Sequence, residues 1–490
     1  MSLGTTLTLL SPELTLFLGA ALVLALDLSL RGGARRAIVW VALAVPILAA
    51  LLALAFLWGQ QVALLSGMMV ADPLALYFKL VAYGCAALVI LGSPRYLSDR
   101  TDRPGEFYLL VLLATLAATL ASAASDLISL YLAFEFLSLV SYVLVSFLRG
   151  DRRSSEGGLK YFLYGAVTSA IMLYGMSLLY GATGTTNLAA IAANLRGPAS
   201  SLRWLAVPTA VLLLAGFSFK IAIAPFHQWA PDAYEGAPTP YTAFLSVASK
   251  MTGVAVLVRV MFVALGDFQP TWARVLGAFA IVSMILGNFV ALQQANIKRL
   301  LAYSTVAHAG YIMVGVATAV LAPRPFNGLN GVLFYGAAYL FTNVGVFLAV
   351  IAVEQASGST TISDYAGMWR RSPVLAALMA YLLLSLTGIP FSAGAFAKFF
   401  VFASAIQAGS FGLLLAAIGI LTSVVAAFYY LNIVRYMFFE RSEAESPVIV
   451  NRSVKVALAI ATAVTLIIGV YPQPLVQLAS RSAVMLGMLF

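Results

Sequence analysis

Five side chains stand where a chain surrounded by lipid can least tolerate them, and their types suit the holding and passing of protons. Glu135, in SDLISLYLAFEFLSLVSYVLVSFLR, lies nine residues after Asp126 and fourteen before Arg149. At 1.5 Å per helical residue that is about 13 Å from the nearer charge. Lys250, in PYTAFLSVASKMTGVAVLVR, is about as deep, ten residues after Pro240 and nine before Arg259. A charged group at mid-bilayer costs about 2.5–3.5 kcal/mol on insertion scales, so each one requires a partner, water or a route to the interface. Glu135 and Lys250 are too deep to reach the interface. They are either functional groups or a buried structural pair; the first reading is preferred, because helix contacts in lipid are readily built from Gly, Ala and Ser.

Lys220, in AGFSFKIAIAPFHQWAPDAYEGAPTP, precedes Pro225 by five residues. Pro225 lacks the amide that would bond the Ile221 carbonyl, and Pro231, Pro238 and Pro240 follow, so the helix should break here. Lys398, in LTGIPFSAGAFAKFFVF, follows Gly388, Pro390 and Gly394 and marks a second interrupted helix. Two interrupted spans, each with a lysine and five spans apart, match transporters built from inverted repeats, whose ion sites sit at the breaks. The alternative is that these prolines are packing kinks. His308, in IKRLLAYSTVAHAGY, is either a proton relay, since imidazole titrates near neutrality, or a hydrogen-bonded core residue. His227, in the proline-rich loop, packs there or takes part in transfer.

The elements that must hold these groups follow from composition. The chain has 490 residues, 62% hydrophobic and only 9% charged, with mean hydropathy +0.98. Soluble domains average about a quarter charged. Apolar runs long enough to cross a bilayer as helices recur at roughly 12–30, 37–58, 73–92, 105–124, 126–148, 157–181, 204–224, 239–265, 272–292, 299–320, 328–354, 373–404, 410–438 and 453–480. These predict an all-α polytopic membrane protein with about fourteen spans, the seventh and twelfth broken. Barrel strands would alternate in polarity, and these runs do not. The start, MSLGTTLTLLSPELTLFLGAALVLALDL, lacks a basic leader and reads as a first membrane helix rather than a removable signal.

The net charge of +10, which in a soluble protein would suggest nucleic acid, here reports loop sorting. Seventeen of the 28 Lys and Arg follow odd-numbered spans, while Arg196, Arg203, Arg274, Arg324 and Arg481 follow even-numbered ones. Basic loops stay in the cytoplasm, so both termini are expected outside. Lys79, Lys220, Lys250, Arg259, Lys398 and Arg435 lie within spans. Of these, Lys79, Arg259 and Arg435 are near enough to span ends to snorkel. Asp27 is expected to pair with Arg31 four residues on. One cysteine and two histidines argue against a disulfide, a thiolate-ligated cluster or a histidine-rich metal centre. No GxGxxG or GxxxxGK[ST] is present to cradle a nucleotide.

The stretch FKIAIAPFHQWAPDAYEGAPTPYTAFLSVASK, with EFLSLVSYVLVSFLR, GGLKYFLYGAVTSAIMLYGMSLLYGATGTTNL, NIKRLLAYSTVAHAGY and GIPFSAGAFAKFF, resembles the antiporter-like membrane subunits of respiratory complex I over nearly the whole chain. DAYEGAPTP and YGATGTTNL favour its subunit N branch over L and M. The resemblance implies two inverted five-helix repeats, residues 105–265 and 266–438, preceded by three helices in 1–104 and followed by a last helix in 439–490. It implies that Glu135 and Lys220 form the family's acid–amine pair, that Lys250 is the central connecting lysine, that Lys398 is the exit-side lysine and that His308 occupies a polar axis position. FEFLSLVSY departs from the family's pattern, which has a proline before the tyrosine; the departure touches packing near Glu135, not its charge.

What the resemblance implies for function is a non-redox, proton-translocating subunit of an NADH:quinone oxidoreductase in the bacterial inner membrane. Its neighbours would be subunits M and K; FMN, iron–sulfur clusters and quinone would sit in other subunits, with no cofactor on this chain and no nucleic acid partner. A solvated amine holds its proton too tightly to pass it on, whereas burial disfavours the charged form and a nearby carboxylate favours it. Closing and opening a Glu135–Lys220 ion pair would then switch proton affinity along the row. Two other classes stay open: a subunit of a stand-alone cation/proton antiporter, which would share these residues, and an organic-solute carrier, for which no specificity pocket is evident.

Overall fold

The structure, a computed structural model, describes residues 2–30, 32–196, 203–320, 327–441 and 447–487. Among these residues the regular structure is helical apart from a two-stranded hairpin, Val62–Leu64 against Met69–Ala71, which is not expected from the sequence. Besides shorter connecting helices and a C-terminal one, the helices are α1 (Ser11–Ser29), α2 (Ile38–Phe56), α3 (Pro73–Gly92), α4 (Pro104–Ala123), α5 (Leu127–Val145), α6 (Arg152–Thr183), α7 (Ala206–Ile221), α8 (Thr239–Ala264), α9 (Gln269–Ala291), α10 (Ile297–Ala317), α11 (Gly328–Ser357), α12 in two pieces (Pro373–Thr387 and Ala393–Ile406), α13 (Ser410–Phe439) and α14 (Arg452–Val470).

Twelve helices among the described residues are long and apolar enough to cross a membrane, as befits a multi-pass membrane protein. The shorter ones, α7 and the two pieces of α12, are the elements expected to be interrupted. The last span is shorter than expected. It ends at Val470, before Pro472, and a separate helix runs from Gln473 to Gly487.

Side chains sort the helices by depth in the bundle. The most apolar window of α8 is wholly buried, and α10 and α11 nearly so; helices apolar all round belong at a core. In contrast, α2 and α13 turn residues such as Leu51, Leu421 and Phe428 outward. The helices that carry Lys250 and His308 are therefore the central ones.

One local construction recurs five helices on. Asp126 caps α5 through the Ile128 and Ser129 amides, and Asn296 caps α10 through those of Lys298 and Arg299. The long α6 and α11 each end on a left-handed glycine, Gly184 and Gly358. Thr186 then bonds Asp126 at 2.5 Å, and Thr360 bonds Asn296 at 2.9 Å. The backbone repeats the pattern, with Leu127 donating to Thr186 and Ile297 to Thr360.

Two buried cations do not behave as the sequence suggests. Lys79 and Arg259 do not snorkel: Lys79 pairs with Glu13 at 2.7 Å, joining α3 to α1, and Arg259 meets both oxygens of Asp72 at 2.7 and 3.0 Å, joining α8 to the start of α3. The carboxylates are far apart from them in sequence, which hid the pairing. Arg435 does reach outward, exposed and 3.8 Å from Glu440. The partner expected for Asp27, Arg31, lies outside the described residues, as does Arg324; Arg35 approaches Asp27 at 3.9 Å.

Stranding one member of a buried pair costs about 3–5 kcal/mol. Asp72→Asn is expected to lower the thermal stability of the purified protein by an amount of that order. Asp72→Asn with Arg259→Met should recover part of it, since no cation is then left unpaired. Equal stability of the single variant and the unaltered chain would show that the pair contributes nothing.

Candidate proton-relay site

The break after α7 forms where the chain reverses its backbone hand. Ala222, a non-glycine residue at φ +61°, ends the helix, and Trp229 donates its indole N–H to the Phe219 carbonyl at 3.0 Å. Lys220 sits in this last turn, fully buried, and its Nζ donates to Ser138 Oγ at 2.9 Å. Ser138 is one turn beyond Glu135 on α5. Glu135 instead accepts from Ser169 of α6 at 2.7 Å. The expected Glu135–Lys220 ion pair is thus not closed; two serines hold acid and amine apart, and Ser138 lies within the stretch that departs from the family's pattern.

Lys250 lies on α8, next to α7: its neighbour one turn on, Gly253, packs against Ile221 and Lys220. A π-helical turn, Leu245–Ser249, directly precedes Lys250; such turns are frequent at functional sites. Its Nζ has no hydrogen-bond partner among the described residues and stands 6.0 Å from the Tyr234 ring.

His308, on α10, is buried between two phenols. Nδ1 is 2.5 Å from Tyr335 OH and Nε2 3.2 Å from Tyr430 OH, and Tyr430 bonds Ser304 in turn. Lys398 closes the row at the broken α12. Its first piece ends on Gly388 at φ +93°, and Lys398 on the second piece donates to the freed Thr387 carbonyl at 2.9 Å. The partly negative end of a helix suits a cation there. The Tyr311 ring lies 4.9 Å away, within cation–π range, and its hydroxyl accepts from Asn288 at 2.9 Å.

The five groups lie on α5, α7, α8, α10 and α12: Tyr234 stands beside Lys250 and accepts from Thr305 of α10 at 3.3 Å, and Tyr311 packs against both His308 and Lys398. Tyr234, Asn288, Thr305, Tyr311, Tyr335 and Tyr430 were not singled out from sequence, where only charge marked a candidate. The signal present was hydroxyls in otherwise apolar runs, as in FYGAAYLFTN. His227 is buried in the break after α7 with Nδ1 unpartnered. Nearby, in the short helix Trp229–Gly236, Asp232 accepts from Lys160 at 2.7 Å and Arg299 at 2.6 Å. Burial works against that carboxylate, yet the two cations outweigh it and hold Asp232 below the ordinary carboxylate range.

Residues 124–426 match the family described as NADH:quinone oxidoreductase/Mrp antiporter, transmembrane. The chain is 42% identical to the NADH-quinone oxidoreductase subunit N of Moorella thermoacetica over 475 residues, 96% of this chain and 97% of that one. It is 40% identical to subunit N 2 of Rhizobium meliloti over 96% of each. Among solved structures it is similar to a chain of respiratory complex I from Thermus thermophilus, TM-score 0.80 with 30% identity, over 96% of this chain and 99% of that one. A chain of the Mrp complex from Dietzia shares the fold, TM-score 0.85 at 22% identity, over 99% and 98%.

Gly388 carries the break in α12. An L side chain in the left-handed region costs about 1–2 kcal/mol, and a Cβ there would stand 3.0 Å from Lys398 Cδ. Gly388→Ala is expected to lower the thermal midpoint, whereas Gly181→Ala, within α6 and with open space around it, should not. Equal midpoints would show that the break does not need this conformation.

Proposed function

We propose, starting from a chain that belongs to the NADH:quinone oxidoreductase/Mrp antiporter family, that this protein is subunit N of a proton-translocating NADH:quinone oxidoreductase and moves protons without carrying redox chemistry. The observation that carries the reading is the row of buried amines left without a carboxylate. Among the described residues, Lys220 Nζ meets a hydroxyl and the Phe134 ring, Lys250 Nζ the Tyr234 ring, and Lys398 Nζ a carbonyl and the Tyr311 ring. An ammonium so placed gains little from its surroundings and can give its proton up.

The geometry suits the following order of events. Movement of Glu135 toward Lys220 favours protonated Lys220; movement back to Ser169 releases the proton toward Lys250. From there Tyr234, Thr305 and the His308–tyrosine cluster lead to Lys398, with water in the gaps. Moving one charge through 100 mV costs about 2.3 kcal/mol, the size of a change of one or two units in proton affinity at a lysine.

The chain divides at residues 1–104, 105–265, 266–438 and 439–490, the two middle parts being inverted repeats; the recurring caps at Asp126 and Asn296 support this. It sits in the bacterial inner membrane with both termini outside, beside subunits M and K, while FMN, iron–sulfur clusters and quinone belong to other subunits. The relatives named subunit N favour this reading over a stand-alone cation antiporter, since the Mrp likeness is one of fold.

The test is proton translocation per electron in membranes containing Lys220→Ala or Glu135→Ala complexes. Both are expected to assemble and to lose the protons this chain contributes; full stoichiometry would contradict the assigned roles. Lys398→Glu, which keeps a titratable group, should be milder than Lys398→Ala. Equal, severe loss would mean that the lysine's geometry outweighs proton exchange.

A further inference from the structure

A relay needs a supply, and one buried carboxylate has a place in the fold that the row above does not use. Glu354, in the last turn of α11, is 8% exposed. It accepts from Tyr96 OH and Arg100 at 3.1 Å each and from Thr239 Oγ1 at 2.5 Å. It lies at a polar cavity of about 520 Å³, also lined by Asp151, Arg153, Glu235 and Lys298. These come from loops that the Lys and Arg count assigns to the cytoplasm. Lys298 forms part of its wall by donating to the Glu235 and Ala237 carbonyls at 2.8 and 2.6 Å.

From Thr239 inward, two polar faces meet. On α8, Thr239, Thr242 and Ser246 recur at three- and four-residue spacing, which is one face of a helix, and Lys250 follows directly after the π-helical turn Leu245–Ser249. On α11, Glu354, Asn343, Tyr339 and Tyr335 lie eleven, four and four residues apart, again one face. The two faces touch twice. Thr239 bonds Glu354, and seven residues further along α8, about 10 Å deeper, Asn343 Nδ2 donates to Ser246 Oγ at 2.7 Å.

Along this seam Asn343 Oδ1, Tyr339 OH, Ser249 Oγ and Lys250 Nζ are all buried without a protein partner. Buried polar atoms in native proteins are nearly always hydrogen-bonded, to water where protein does not serve. Four such atoms around one helix contact mark a place that takes water. Phe347 of α11, between the levels of Asn343 and Glu354, meets Tyr234 edge-on with centroids 6.4 Å apart.

We propose that the α8–α11 seam is the hydrated inlet by which protons reach Lys250 from the basic face, with Glu354 the carboxylate at its mouth and Asn343 the inner group that orders its water. The inference rests on the relay reading above and adds the route that feeds it. It also accounts for Arg100, which holds Glu354 toward the cavity.

The test is the proton-to-electron ratio, per assembled complex, of Glu354→Gln, Asn343→Leu and Lys250→Ala. Asn343→Leu nearly preserves shape, and Ser246 keeps its bond to Ala243, so this variant reports on the inlet should Glu354→Gln fail to assemble. Both inlet variants are expected to fall toward the Lys250→Ala level, and Glu354→Asp to restore pumping. Normal pumping by assembled inlet variants while Lys250→Ala loses it would overturn the inlet and leave the relay standing. Normal pumping by all three would overturn the relay together with the inlet.

Discussion

An ammonium buried in an apolar bundle must find compensation, and the kind it finds divides the cations of this protein in two. Lys79 and Arg259 have carboxylates at hydrogen-bonding distance and tie α1, α3 and α8 together. Lys220, Lys250 and Lys398 have none among the described residues. A paired charge keeps its proton and holds helices; an amine left with a hydroxyl, a ring or a carbonyl keeps its proton at a cost and can pass it on. The proposed relay is thus marked less by where lysines occur than by which carboxylates are withheld from them.

The interruptions in α7 and α12 follow from the same constraint. A continuous helix satisfies all its backbone groups and offers a lysine no acceptor other than its neighbours' side chains. Breaking it frees carbonyls, and in α12 one of these, that of Thr387, takes the amine of Lys398. Proline and a left-handed glycine are the residues that make such a break tolerable in lipid. The caps of α5 and α10 are each tied to the loop beyond the following helix, so the same local construction holds both pairs of helices.

Much of this was legible in the sequence, because depth within an apolar run is a length and length can be counted. Glu135, Lys250 and both breaks could be placed that way, as could the interrupted helices themselves. What could not be read was partnership between distant segments. Glu13 and Lys79 are 66 residues apart and Asp72 and Arg259 are 187 apart, so both cations looked like snorkelling residues. Ser138 was invisible as a ligand for Lys220 because serine is unremarkable in a membrane helix. The tyrosines around His308 were hidden for the opposite reason: aromatic residues read as packing until the fold turns their hydroxyls toward one imidazole.

The division of cations is most directly tested by comparing Lys79→Met with Lys250→Met in the intact membrane complex, scoring the amount assembled and the protons moved per electron. The account requires Lys79→Met to reduce assembly while each assembled complex pumps normally, and Lys250→Met to assemble fully and pump less. If Lys250→Met pumps at the unaltered ratio, or if Lys79→Met assembles fully yet pumps less, the distinction between paired and unpaired amines does not govern function.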